Sequence, residues 1–198
     1  EAALLNAALS ADDFVGVYAA HAAFLSLVTR PGHALTGPSI PALQDSLADL
    51  GGTALDYLVY NPETYDTHGT PQEELDDPPG AVAALRPLAD ARGAGLGFFP
   101  DRTLLETHGA VVAPLVDLAG FQAQRYQLRP DELRAAVAAA AGIYRGGNAG
   151  VKMFAQLFMA PPVYGDDGKP VRDENGDKVH QAVSAEEVVD AINLIADL

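Results

Sequence analysis

Residues 94–122 read AGLGFFPDRTLLETHGAVVAPLVDLAGFQ, and this stretch decides the fold. Ala94–Phe99 is a short apolar run of the kind that makes a buried strand. Pro100 and Asp101 turn the chain, Thr103–Val112 is helical in pattern, and Val116–Gln122 returns as a second apolar run. An antiparallel pair needs no more than a hairpin between its strands. A helix-sized connection is what a parallel pair requires, and its crossover is right-handed.

The same order repeats on both sides. Upstream, Leu55–Tyr60 (LDYLVY) is a strand, followed by the long corner 61–79 and by a helix over Gly80–Arg92 that Gly93 closes. Downstream, Pro130, Asp131 and Glu132 suit a first helical turn, where proline lacks only an unneeded N–H and acids meet the positive end of the helix dipole; that helix runs to Tyr144. The glycines at 146, 147 and 150 read as its C-terminal stop. Val151–Phe158 (VKMFAQLF) is a further strand, and Ser184 with Glu187 forms a capping-box pattern that opens a last helix to Leu198.

The first fifty residues are less regular. Ser10 and Asp13 suit the cap of a helix running to Thr29, with Phe14–Tyr18 as a strand being the alternative; Pro38, Pro41, Leu43, Leu47 and Leu50 suggest a helix that Gly51 and Gly52 end. The segment 163–181 (VYGDDGKPVRDENGDKVHQ) interrupts the pattern with Asp-Asp-Gly and Glu-Asn-Gly turns and reads as a hairpin excursion.

The expectation is therefore a single α/β domain over 1–198, with repeated βα units and a parallel sheet, arranged as a (β/α) barrel or partial barrel. A complete barrel takes about 250 residues. Four or five strands in 198 residues fit an incomplete barrel, a fragment of a longer one, or an open sheet. The chain opens at Glu1 rather than methionine, as a processed, trimmed or partly represented chain does.

Composition narrows the partners. Twenty-seven acidic against twelve basic residues give a net charge of −15, which argues against nucleic-acid phosphates or an anionic membrane as the main partner. The longest apolar run, Phe14–Val28, is broken by Gly16, His21 and Ser26 and falls short of the roughly 20 residues a membrane span needs. With no cysteine, disulfides and thiolate metal sites are out. The histidines at 21, 33, 68, 108 and 180 show no metal-ligand spacing, and the glycine-rich stretches close helices rather than open them after a strand, so neither a metal nor a nucleotide cofactor is expected. Asp173–Asp177 (DENGD) lacks the ligand spacing and distal glutamate of a calcium loop.

In either parallel architecture ligands bind at the carboxyl ends of the strands, which makes the polar residues there the candidate site. These are Asn61 and Glu63 after the first clear strand, Asp101 after the second, Gln122 and Gln124 after the third, and Gln156 after the fourth. Glu63 and Asp101 are the acid/base candidates. Asn61, Gln122, Gln124 and Gln156 suit the hydrogen bonding of a polyhydroxylated ligand. Asp101 equally suits an N-cap before Thr103, and His68 lies on the loop that passes the cleft.

Four short stretches, YLVYNPE (57–63), Phe99-Pro100-Asp101, FQAQRYQ (121–127) and GVKMFAQ (150–156), resemble secreted, glycosidase-like TIM-barrel proteins of high-GC bacteria, mostly without assigned activity. The resemblance runs over residues 53–198 by order of elements. It implies a barrel, an extracellular setting and a carbohydrate ligand that is bound or hydrolysed. One departure stands out: the end of the fourth strand carries no second glutamate, where a retaining glycosidase often places its nucleophile. A non-catalytic extracellular or cell-surface binding or structural protein with a degenerate barrel is the alternative.

Overall fold

A computed structural model of the chain describes residues 6, 15–29, 32–65, 68–165 and 169–198. Among these residues six strands form one sheet: β1 (Val15–Tyr18), β2 (His33–Gly37), β3 (Tyr57–Tyr60), β4 (Gly95–Phe98), β5 (Leu118–Phe121) and β6 (Lys152–Ala155). Their spatial order is their sequence order, and every neighbouring pair is parallel. With crossovers of one hand and no reversal of strand order, all connections fall on one face of the sheet. A doubly wound sheet, whose order reverses at a switch point, is thereby ruled out. The result is a curled half-barrel.

The helices on the outer face are α1 (Ile40–Asp49), the short α2 (Gln72–Asp76), α3 (Pro78–Ala91), α4 (Arg102–Val112), α5 (Pro130–Gly147) and α6 (Ala185–Ile195). Their termini follow local chemistry. Ser39 caps α1 by accepting from the Ala42 N–H, Asp77 caps α3 through Gly80, and Ser184 and Glu187 complete a reciprocal capping box on α6. Gly93 ends the α3 segment at φ +64°, a left-handed conformation that a side chain would disfavour.

Alternation along the strands divides the sheet into two environments. Leu35, Leu58, Leu96, Phe98, Ala119 and Phe121 point outward into one core with Leu43, Val82, Leu85, Leu105, Val112, Leu133 and Val137 of the helices. The intervening residues, Ala34, Thr36, Tyr57, Val59, Leu118 and Phe154, line a concave cavity of about 860 Å³ to which both edge strands contribute. Gly120 lies on this inner side, where a Cβ would stand 2.4 Å from both Phe99 and Phe154, whose rings pack at 5.0 Å.

The N-terminal region departs from the expected helix. Val15–Tyr18 is a strand, Ala19–Leu27 is 3-10 in geometry with a kink at His21, and His33–Gly37, which the sequence did not mark, supplies β2. Ser10, Asp13 and Phe14 lie outside the described residues. The strand expected over 151–158 is confined to Lys152–Ala155. Gly146 and Gly147 belong to the last turn of α5, and Asn148, not a glycine, is its C-cap. The excursion after β6 is antiparallel, with bridges Pro162–His180, Tyr164–Pro170 and Arg172–Lys178, and Val163, Val171 and Val179 exchange backbone hydrogen bonds in turn. Among the described residues no helix is long and apolar enough to cross a membrane.

Candidate functional site

The carboxyl ends of the strands are drawn together by Asn61. It is fully buried just past β3, and its main-chain N–H donates to the Gly37 carbonyl at the end of β2 (2.9 Å). Its side-chain amide donates to the Phe99 carbonyl after β4 (2.7 Å) and accepts from the Tyr18 hydroxyl at the end of β1 (2.9 Å). A buried amide so engaged has its donors and acceptor matched, which is what burial demands of a polar group. Asn61 is thus the clasp of four strand ends.

Glu63 sits above this clasp. Gln122, just past β5, donates its Nε2 to Glu63 Oε1 at 2.7 Å, and Asn61 Nδ2 approaches the same oxygen at 3.4 Å. On the other side His68 brings Nδ1 within 3.4 Å of Glu63 Oε2 while its Nε2 meets the Asn61 carbonyl oxygen at 2.8 Å. The Glu63 N–H donates to Thr70 Oγ1 (3.2 Å), closing the loop on itself. The carboxylate is therefore held from three directions.

Two tyrosines register this charge from opposite ends of the sheet. Burial raises the pKa of the Tyr18 hydroxyl, and the neighbouring Glu63 carboxylate adds to the rise. Burial likewise raises Tyr164, in the excursion after β6; Arg125 opposes the rise, while Tyr65, Tyr126 and Glu63 support it. The Arg125 guanidinium lies 5.2 Å from the Tyr164 ring centroid and 5.9 Å from that of Tyr126. Both phenols remain neutral donors.

Asp101 has a different role. It is 3% exposed; its Oδ1 accepts from the Leu104 N–H at the start of α4 (3.0 Å), and its Oδ2 accepts from both the N–H (2.6 Å) and the hydroxyl (2.5 Å) of Thr64. Both oxygens are committed to an N-cap and to the loop that carries Glu63. The structure does not bring Asp101 to the mouth as a second carboxylate open to ligand.

The remaining candidates divide. Gln156 lines the concave cavity, and its backbone N–H pairs with the Phe121 carbonyl (2.9 Å). Gln124 lies in the 3-10 turn Ala123–Arg125, with a buried Oε1 that has no hydrogen-bond partner among the described residues. Gln127 was not marked by the sequence; both ends of its side-chain amide grip the main chain of Phe158, fixing the segment after β6. Tyr18 and Tyr164 also went unmarked, one in a region read as helix and the other in the excursion. Among the described residues no three His, Asp or Glu side chains converge as a metal-binding set.

No family model matches the chain, and no curated protein matches it. Chemically, the site offers one oriented carboxylate, amide and phenol hydrogen-bonding groups, and an aromatic and aliphatic concave face beside them.

Proposed function

We propose that the protein is a glycoside-hydrolase-like half-barrel that binds a carbohydrate-like ligand at the carboxyl ends of its strands and holds it without cleaving it. The observation that carries this reading is the Glu63 carboxylate, fixed by Gln122 at 2.7 Å at the carboxyl ends of the strands and linked through Asn61 to Tyr18, which lines the concave cavity together with Phe154 and Gln156. A sugar has two kinds of surface. Its C–H faces suit aromatic rings, and its hydroxyls suit an oriented carboxylate with amides beside it. An extracellular setting belongs to the same proposal.

Hydrolysis by the usual route asks for two carboxyl groups about 5 to 5.5 Å apart for retention, or about 6.5 to 9.5 Å for inversion. With Asp101 committed to its cap, Glu63 lacks that partner in the acid/base pair suggested by the sequence. Binding without turnover is accordingly the reading this geometry supports. The test is a glycan-array screen followed by calorimetry on the hits, with Glu63→Gln as control and a reducing-end assay in parallel. Saturable binding lost in Glu63→Gln, with no sugar released, is the expected result. Release of reducing ends that Glu63→Gln abolishes would show a glycosidase instead, and no binding to any glycan would remove the carbohydrate reading.

A further inference from the structure

The concave cavity has the opposite charge to the chain as a whole. The chain holds 27 acidic and 12 basic residues. Among the described residues that line the cavity of about 860 Å³ there is no aspartate or glutamate, while Arg145 and Lys152 both border it. Both stand at the amino ends of the strands, Arg145 in the last turn of α5 and Lys152 as the first residue of β6, in register with Leu118 of β5. Asp117, beside Leu118, does not line the cavity; its Oδ2 accepts from Arg86 (2.7 Å) and from the Leu96 N–H (2.8 Å). Strand alternation puts Lys152, Phe154 and Gln156 on one face, so the chain passes there from a cation through an aromatic ring to an amide over roughly 13 Å. Phe154 packs on Phe99, and Val59 and Leu118 continue the apolar middle. Towards β1 the space stays open: a Cβ added at Gly16 would meet no described atom nearer than Ala34, at 3.9 Å.

We propose that this cavity is a second binding site, for a long-chain carboxylate whose head meets Lys152 and Arg145 and whose chain lies along Leu118, Val59 and the Phe99–Phe154 pair. An oligosaccharide would leave the apolar stretch unsatisfied, and a cationic amphiphile would set like charges together. Burial of the chain supplies most of the affinity, because an ion pair on exposed side chains is weak; the two cations decide which sign of head group is taken. Arg145 gives Nη1 to the Leu198 carbonyl and has further N–H donors for the head. The site does not rest on the carbohydrate reading, whose Glu63 and Gln122 stand at the opposite, carboxyl ends of the strands.

The experiment is calorimetric titration of the full chain with decanoate and with decyltrimethylammonium, each below its micelle concentration. A net charge of −15 by itself favours the cation, so a preference for the anion reports the site. The expected result is saturable binding of decanoate, roughly tenfold tighter than the cation, and about fourfold weaker for each methylene removed. Lys152→Gln removes most of that preference; Lys152 is chosen because Arg145 also holds the Leu198 carbonyl. Gly16→Leu fills the cavity and abolishes decanoate binding, with a urea melt showing that the variant is folded. Glu63→Gln leaves decanoate binding unchanged, so loss of glycan binding with decanoate retained fails the carbohydrate reading alone. Binding of the cation as tight as that of decanoate, a preference unchanged in Lys152→Gln, or binding retained in folded Gly16→Leu overturns the site, as does the absence of saturable decanoate binding.

Discussion

Gln122 and Glu63 stand 59 residues apart in sequence, yet their side chains meet at 2.7 Å. They follow β5 and β3, which are not neighbours, so the bond passes over the end of β4. In a flat parallel sheet, strands two places apart lie about 9 to 10 Å apart. Curling the sheet turns their carboxyl ends towards one another, and two side chains of this length then close the gap. A hydrogen bond to a charged group contributes about 1.5 to 3 kcal/mol. Gln122→Met keeps the bulk and removes the donor, so the wild type's oligosaccharide ligand should bind roughly tenfold more weakly, the equivalent of about 1.4 kcal/mol. Calorimetry reads the affinity and a urea melt checks the fold. Unchanged affinity would show that Gln122 does not orient Glu63.

Asp101 should behave as a structural residue. Asp101→Ala removes a helix cap, worth about 1 kcal/mol, and leaves Thr64 without its buried acceptor, worth about 1 to 3 kcal/mol, so a loss of roughly 2 to 4 kcal/mol is expected. Asp101→Asn keeps one oxygen for Leu104 and should fall between the two. Urea midpoints measure this. If Asp101→Ala were as stable as the wild type and lost ligand binding, its place would be at the site after all.

Glu74 gives the chain a pH dependence of known sign. Burial raises its pKa above the ordinary glutamate value; the Ile40 N–H, bonded to both oxygens at 3.1 and 3.2 Å, lowers it, and Tyr60, whose hydroxyl lies outside ordinary hydrogen-bond geometry, adds a smaller lowering. With the folded value above the unfolded one, the native state holds the proton more tightly. The associated stability is complete below the unfolded value of about 4.3 and is lost as pH rises through the raised folded value. Glu74→Gln removes that loss and keeps an oxygen for Ile40. Relative to the wild type, the variant should therefore gain urea midpoint as pH rises from the unfolded value of about 4.3 through the raised folded value. A difference between the two proteins that stays flat with pH would contradict the assignment.

The strands that could be read from sequence are those whose own residues specify them. β3, β4 and β5 are apolar runs bounded by turn residues, and three of the four residues in each are buried. β1 and β2, VGVY and HALTG, contain glycine, histidine and threonine, and their inner residues Gly16, Ala34 and Thr36 line the cavity without an apolar run to mark them. Their strand character comes from pairing with β3, which no local pattern records. The site divides in the same way. Asn61, Glu63 and Gln122 were legible because strand alternation and the carboxyl-end rule place them there. Tyr18 arrives through the curl of the sheet and Tyr164 through the excursion, both long-range effects. Asp101 was ambiguous for a chemical reason: a capping aspartate and a catalytic one occupy the same place after a strand, and the partners of their oxygens alone distinguish them.

Two adjacent glycines in the last turn of α5 should respond to alanine with opposite signs. A glycine in an exposed helix interior costs roughly 0.5 to 1 kcal/mol relative to alanine, chiefly through the freedom it gives the unfolded chain. At Gly146 an added Cβ meets no described atom within 4 Å beyond its own stretch of helix, so Gly146→Ala should stabilise by about that amount. At Gly147 the Cβ would stand 1.9 Å from the Ala110 carbonyl oxygen and 2.8 Å from its carbon, backbone atoms of α4 that no rotamer change can move. The two helices would have to separate along their contact, so Gly147→Ala should destabilise by about 1 to 3 kcal/mol. The urea midpoints of the two variants should fall on either side of the wild type. If Gly147→Ala were the more stable of the two, the close approach of α4 and α5 at this point would be wrong.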